Sequence, residues 1–250
     1  MPRCRRLFCP FLFLVCRSGC RHFTVLFQTS RRGRMSPQTR EENWNRFWKL
    51  NTASRFTQKS WSKIRILQRL ENYLRPGMAV LDAGSGSGFF SEYFLSKHCA
   101  VSSLDYSQDA LEMTRKRTRG GCEAYLAENL LDETFGTRFA GKFDLIFTDG
   151  LFEHFPLSGQ KIILDNFCRS KKPQGVIATF VPNLYSWWEV VRPLVMPGIH
   201  EKPFTRRALL DLHRGLNLLE CGGLNVLPFA LSPERLLGRH LGMILYCIAK

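Results

Sequence analysis

Asp82, Gly84, Gly86 and Gly88 stand at alternate positions directly after the apolar run Ala79-Val80-Leu81. Glycine at every second place removes three Cβ atoms and admits positive φ, so a ligand can come close to backbone N–H groups. A dinucleotide fingerprint would place a further glycine where Phe89 stands. Asp105 lies seventeen residues beyond Gly88, at the end of a second apolar run, Ala100–Leu104. A carboxylate there can accept from both hydroxyls of a ribose. Tyr106 beside it can flank a purine. Glu128-Asn129, Thr148-Asp149 and Glu153-His154 close or follow the third and fourth apolar runs. Imidazole titrates near neutrality, so His154 is the best-placed base of the set. Glu153 is its candidate partner and His200 its competitor.

The pattern acidic-x-Gly-x-Gly-x-Gly resembles motif I of the class I S-adenosylmethionine-dependent methyltransferases. Phe143–Thr148 followed by Asp149-Gly150-Leu151-Phe152-Glu153-His154 is similar to motif IV of the same superfamily. The resemblance covers about residues 60–205. It implies an α/β fold with a doubly wound, Rossmann-like sheet of seven strands in the order 3-2-1-4-5-7-6. The last strand would be antiparallel and helices would cover both faces. It also implies S-adenosyl-L-methionine as cofactor, held by Asp82, Gly84, Ser85, Gly86, Gly88, Asp105 and Tyr106. Either Glu128 or Asn129 would accept from the adenine amino group. The backbone around Thr148 and Asp149 would face the methionyl amino group, and Glu153 and His154 would edge the reaction cleft.

The implied reaction is an in-line displacement of a methyl group from sulfur, to a small-molecule acceptor with oxygen as the default atom. N- or C-methylation in cofactor or lipid metabolism is the alternative among methyltransferases. A nicotinamide-dependent oxidoreductase is the alternative from another class, against which Phe89 and an antiparallel-looking final strand pair both count. No Asn-Pro-Pro-Tyr or Asp-Pro-Pro-Tyr follows the fourth strand, the signature of amino-group methylation on bases or glutamine.

Several elements must position these groups. The spacing of Trp61, Ile64, Leu67 and Leu70 predicts a helix over about 58–74 with those residues inward, after an earlier helical face made by Trp44, Phe47, Trp48 and Leu50. The resemblance implies that residues 35–75 form a helical cap over the active site, with ordinary core packing of these tryptophans as the alternative. Strands are expected at 79–81, 100–104, 122–127, 143–148 and 176–181, with helices between them. Lys171–Gly175 reads as a turn. Residues 184–204, rich in aromatics and proline, form a candidate substrate lid. A helix follows at 206–216 behind Thr205 as cap, then two strands that end with 243–249 and enclose a short helix started by Ser232-Pro233-Glu234.

The net charge of +15 is concentrated: residues 1–40 hold nine arginines and neither lysine nor acid. A basic pI of that origin is poor evidence for a nucleic-acid partner, and none is expected. Residues 1–34 resemble a secretory or mitochondrial leader, but translation starting at Met35 is the favoured reading, with 35–250 as one domain. The apolar run Leu7–Cys16 is too short for stable membrane insertion. The location is expected to be cytoplasmic, or mitochondrial if the leader is a transit peptide. Nine scattered cysteines without a C-x-x-C pair predict neither zinc, nor any other metal, nor a disulfide framework.

Overall fold

The computed structural model describes residues 58–195 and 201–250, which belong to one compact unit. The leader, the helix predicted around Trp44 to Leu50, Met196 and His200 lie outside the described residues.

The apolar runs become strands of a single sheet. These are β1 (Ala79–Ala83), β2 (Ala100–Leu104), β3 (Ala124–Leu126), β4 (Phe143–Asp149), β5 (Lys171–Pro182), β6 (Leu218–Leu224) and β7 (Ile244–Ala249). Their order is β3-β2-β1-β4-β5-β7-β6. The first five run parallel, and β7 is antiparallel to both β5 and β6. Strand order reverses beside β1, which pairs β2 on one side and β4 on the other. Ligands of such sheets sit outside the carboxyl ends of the strands at this switch point.

The helices are α1 (Trp61–Leu70), α2 (Phe89–Ser96), α3 (Gln108–Arg117), α4 (Phe135–Arg138), α5 (Leu157–Ser170), α6 (Trp188–Val195), α7 (Arg206–Leu212) and α8 (Glu234–Leu241). Two apolar layers flank the sheet, one around Phe94, Phe147 and Phe180, the other around Phe135, Phe152 and Phe167. Side-chain caps start three of the helices. Ser60 accepts from the Lys63 N–H, Ser107 from Ala110 and Thr205 from Ala208.

Several expectations are corrected. Asp82 does not end its strand, which continues to Ala83. Trp61 is 45% exposed, and the inward residues of α1 are Arg65, Ile66 and Leu70. Arg65 is buried because it straps α1 to the segment between β6 and β7. It pairs with Glu234 at 2.7 Å and donates to Asn225 and to the Leu227 and Phe229 carbonyls. Lys171–Gly175 belongs to β5, where a register shift absorbs the residues read as a turn and Lys172 pairs with Asp144. The third strand has three residues rather than six, and α7 stops at Leu212. The short α4 is an addition to the expected elements, as is α6 inside the 184–204 segment. Cys221 and Cys247, facing each other across β6 and β7, form a disulfide, so the expectation of none fails for this pair.

Candidate active site

The glycine turn joins β1 to α2 with Gly84, Gly86 and Gly88 all at positive φ, 78°, 51° and 72°. Gly88 has a second reason to lack a side chain. A Cβ there would lie 2.8 Å from the Thr114 Cα, so α3 could not pack where it does. The turn differs from the sequence expectation in one respect. Its N–H groups are largely used internally: Gly84 and Ser85 donate to the Leu104 carbonyl, Gly88 to Ser85, and Gly86 to Asp105. The turn is thus a tightly self-bonded loop more than a row of spare donors.

Asp105, at the end of β2, locks this loop. Its Oδ2 accepts from Gly86 N–H and its Oδ1 from Ser107 N–H, each at 2.9 Å. Each oxygen keeps a further lone pair, so the carboxylate can hold the loop and still accept from two hydroxyls. Burial pushes its pKa up to about 6 against the pull of those backbone donors. Asp82 lies deeper, 2% exposed, and accepts from the Ser91 hydroxyl, which also contacts Ser103. Burial, opposed by Ser91 and reinforced by Asp105 and Asp149, raises Asp82 to about 7. Ser85 is also buried, with Thr114 bonded to the Gly86 carbonyl beneath it. Tyr106 is half exposed at the rim.

The two candidates after β3 are otherwise engaged. Glu128 forms a two-pronged pair with Arg138 at 2.8 Å per arm, which holds its carboxyl below the usual range. Asn129 accepts from the Leu131 N–H in a local turn. A purine amino group meeting Glu128 would share it with Arg138.

At the end of β4, Thr148 is fully buried with an unpartnered hydroxyl, and burial raises Asp149 to about 6. Lys63 on α1 is its electrostatic counterpart. Burial lowers the ammonium to about 8 while Asp149 draws it back up. Leu151 follows and would be 3.4 Å from a Cβ at Gly84, so the segment after β4 lies against the glycine turn. Phe152–His154 is a single 3-10 turn. Gln160 pins it by donating to the Phe152 and Phe155 carbonyls at 3.0 Å.

That turn brings Glu153 and His154 against a residue absent from the sequence-derived candidates, Glu201. One ligand atom from each lies within 4.8 Å of the others. Glu201 is placed by backbone bonds: Lys202 N–H donates to the Glu153 carbonyl, and Phe204 N–H to Pro182. Burial, and then the neighbouring Glu201, raises the Glu153 carboxyl well above its ordinary range. Burial raises Glu201 to about 7, opposed by Arg192. Arg192, which also pairs with Glu189, is the cation of this cluster. Nothing local in the sequence marks Lys63 or Glu201, since each depends on a contact made between distant segments.

The Cβ-free turn at the switch point, with a recessed carboxylate at the end of the adjoining strand, fits a nucleoside-bearing ligand. Residues 80–175 match the model of a methyltransferase-domain family. Over that stretch the chain is similar to methyltransferase domains, and its fold is that of S-adenosylmethionine-dependent methyltransferases. It is 27% identical over 140 residues to a ubiquinone biosynthesis O-methyltransferase of Erwinia tasmaniensis, a stretch that is 52% of this chain and 56% of that protein. Its fold is shared with a SAM-dependent methyltransferase from Anabaena variabilis, at 20% identity and TM-score 0.63, over 86% of this chain and 96% of that one. It is also shared with the N-methyltransferase NodS from Bradyrhizobium japonicum in complex with S-adenosyl-L-homocysteine, at 16% identity and TM-score 0.61, over 84% and 96%. The chain spans about half the length of the curated relatives it matches. Among the described residues, no helix is long and apolar enough to cross a membrane.

Proposed function

We propose that this chain transfers the methyl group of S-adenosylmethionine to an oxygen of a small-molecule acceptor. The observation that carries the reading is the placement of two groups at the carboxyl ends of neighbouring strands. The glycine turn and Asp105 stand after β1 and β2, while Glu153 and His154 stand after β4 and are met by Glu201 from the connection after β5. When bound, the cofactor supplies an electrophilic methyl carbon on a sulfonium, so the chain must align the acceptor, exclude water and take up a proton.

The glycine turn lines the cofactor, with Gly84 and Gly88 closed on their Cβ sides by Leu151 and Thr114, and Asp105 accepts from the ribose hydroxyls. Leu151, lying over Gly84, shields the turn from water. Phe152 and Gln160 hold the following turn, so that Glu153 and His154 face the acceptor side. A hydroxyl acceptor must lose its proton around the transfer, and a cluster containing an imidazole and two buried carboxyls can receive it. Similarity to an O-methyltransferase supports oxygen as the acceptor atom.

The test is titration of the full chain with S-adenosylhomocysteine, followed by screening phenolic and alcoholic acceptors with methyl-labelled cofactor. Binding plus label on oxygen is the expected result. Label found only on nitrogen or carbon acceptors would overturn the oxygen assignment. His154→Ala should lower turnover by ~10²-fold while S-adenosylhomocysteine affinity stays unchanged.

A further inference from the structure

We propose that Glu153, His154 and Glu201 form a binding site for one divalent first-row transition-metal ion. A ligand atom of each lies within 4.8 Å of the other two, a separation that one ion placed among them can bridge. Two carboxylates and an imidazole suit manganese, iron or zinc better than a thiolate-seeking metal.

A second observation points to a ligand independently of the clustering. Glu153 is 4% exposed, and its Oε2 is buried without a hydrogen-bond partner. An orphaned carboxylate oxygen is costly to bury unless something positive reaches it. The surrounding carboxylates add to that need. Glu153 feels Glu201, Asp149 and Glu189, all of the same sign. Arg192 is committed to Glu189 at 3.2 Å and Glu201 at 3.4 Å. A divalent ion would supply the missing positive charge and occupy the bare oxygen.

The ligands are carried on fixed backbone. Gln160 holds the 3-10 turn bearing Glu153 and His154, and the Lys202 N–H bond to the Glu153 carbonyl ties Glu201 to the same turn. Such supporting contacts set ligand orientation in metal sites. Three protein ligands leave coordination positions open, the arrangement of a site that takes a further oxygen ligand. The assignment of that ligand as the acceptor oxygen rests on the methyl-transfer reading. Ion binding itself does not. With the ion in place, His154 acts as a ligand and no longer as the proton acceptor.

The test uses Mn²⁺ with the metal-stripped full chain, followed by electron paramagnetic resonance. Manganese is chosen because it avoids thiolates, so the cysteines of residues 1–34 do not compete. One Mn²⁺ per chain is expected, with affinity at least tenfold weaker in both Glu153→Gln and Glu201→Gln. S-Adenosylhomocysteine binding and thermal melting of the same variants report on their folding. If Glu153→Gln fails to fold, Glu201→Gln decides, because its residue lies outside the sheet. Absence of stoichiometric Mn²⁺ binding to the wild type would overturn the proposal, as would binding undiminished in a folded variant. Failure to bind S-adenosylhomocysteine with Mn²⁺ binding intact would instead count against the methyl-transfer reading alone.

Discussion

Replacing Asp105 by asparagine should weaken cofactor binding and remove part of its pH dependence. The carboxylate accepts two backbone N–H bonds at 2.9 Å and has a pKa of about 6 before any ribose arrives. Hydroxyls donate to the ionised form, so at pH 5 a group with pKa 6 must first release a proton. One pKa unit corresponds to about 1.4 kcal/mol, or roughly a tenfold loss of affinity between pH 7.5 and pH 5. The side-chain amide of Asp105→Asn has one acceptor oxygen where the wild type has two, so one charge-assisted bond is lost outright. That costs about 1.5–3 kcal/mol, or roughly 10- to 150-fold in Kd. Calorimetric titration with S-adenosylhomocysteine at pH 5, 6, 7 and 8 reads both effects. Asp149 is also held at about 6 and contributes its own slope. The quantity to compare is therefore the difference in slope between wild type and variant. Equal slopes, or an undiminished Kd in the variant, would refute the placement of Asp105 against the ribose.

Gly88→Ala forces a left-handed conformation on alanine and brings its Cβ within 2.8 Å of the Thr114 backbone. We expect a loss of about 2–4 kcal/mol in denaturant unfolding, combining backbone strain with overpacking. Asp82 titrates at about 7 in the folded chain against about 3.9 when unfolded. Because its folded pKa is raised, its stabilising contribution is complete below about 4 and lost as pH rises through 7. The melting temperature of Asp82→Asn should therefore gain on that of the wild type between about pH 4 and pH 7 and keep a constant lead above about pH 8. A pH-independent difference would contradict the burial argument. Arg65→Met strands Glu234 in a half-buried position without its cation. The expected cost is about 3–5 kcal/mol by urea unfolding, and Arg65→Met with Glu234→Gln should recover part of it.

The fold is legible in the sequence because the apolar runs at 79–81, 100–104 and 143–148 are short, separated by helical periodicity and closed by acids or glycines. Local chemistry decides such features. The glycine turn and Asp105 are readable for the same reason, since their positions follow from one βαβ unit. The buried role of Arg65 escapes a sequence reading because its partners, Asn225, Leu227, Phe229 and Glu234, lie more than 150 residues away. The role of Glu128 is obscured by Arg138, which arrives on the additional α4. Glu201 is invisible in the sequence because its position depends on Lys202 meeting the Glu153 carbonyl, a contact that no spacing encodes.

The chain leaves β5 at Asn183 and returns beside it at Phe204, where the two residues form a β-bridge and Leu184 N–H donates to the Phe204 carbonyl. A detour whose two ends are fastened together can be exchanged without moving the sheet, because closing a longer flexible detour costs only about 0.6 kcal/mol per doubling of its length. The glycine turn and Asp105, which follow β1 and β2, lie outside that detour. Grafting the 184–203 stretch from a relative with a different acceptor should transfer specificity more readily than substitutions scattered through the strands.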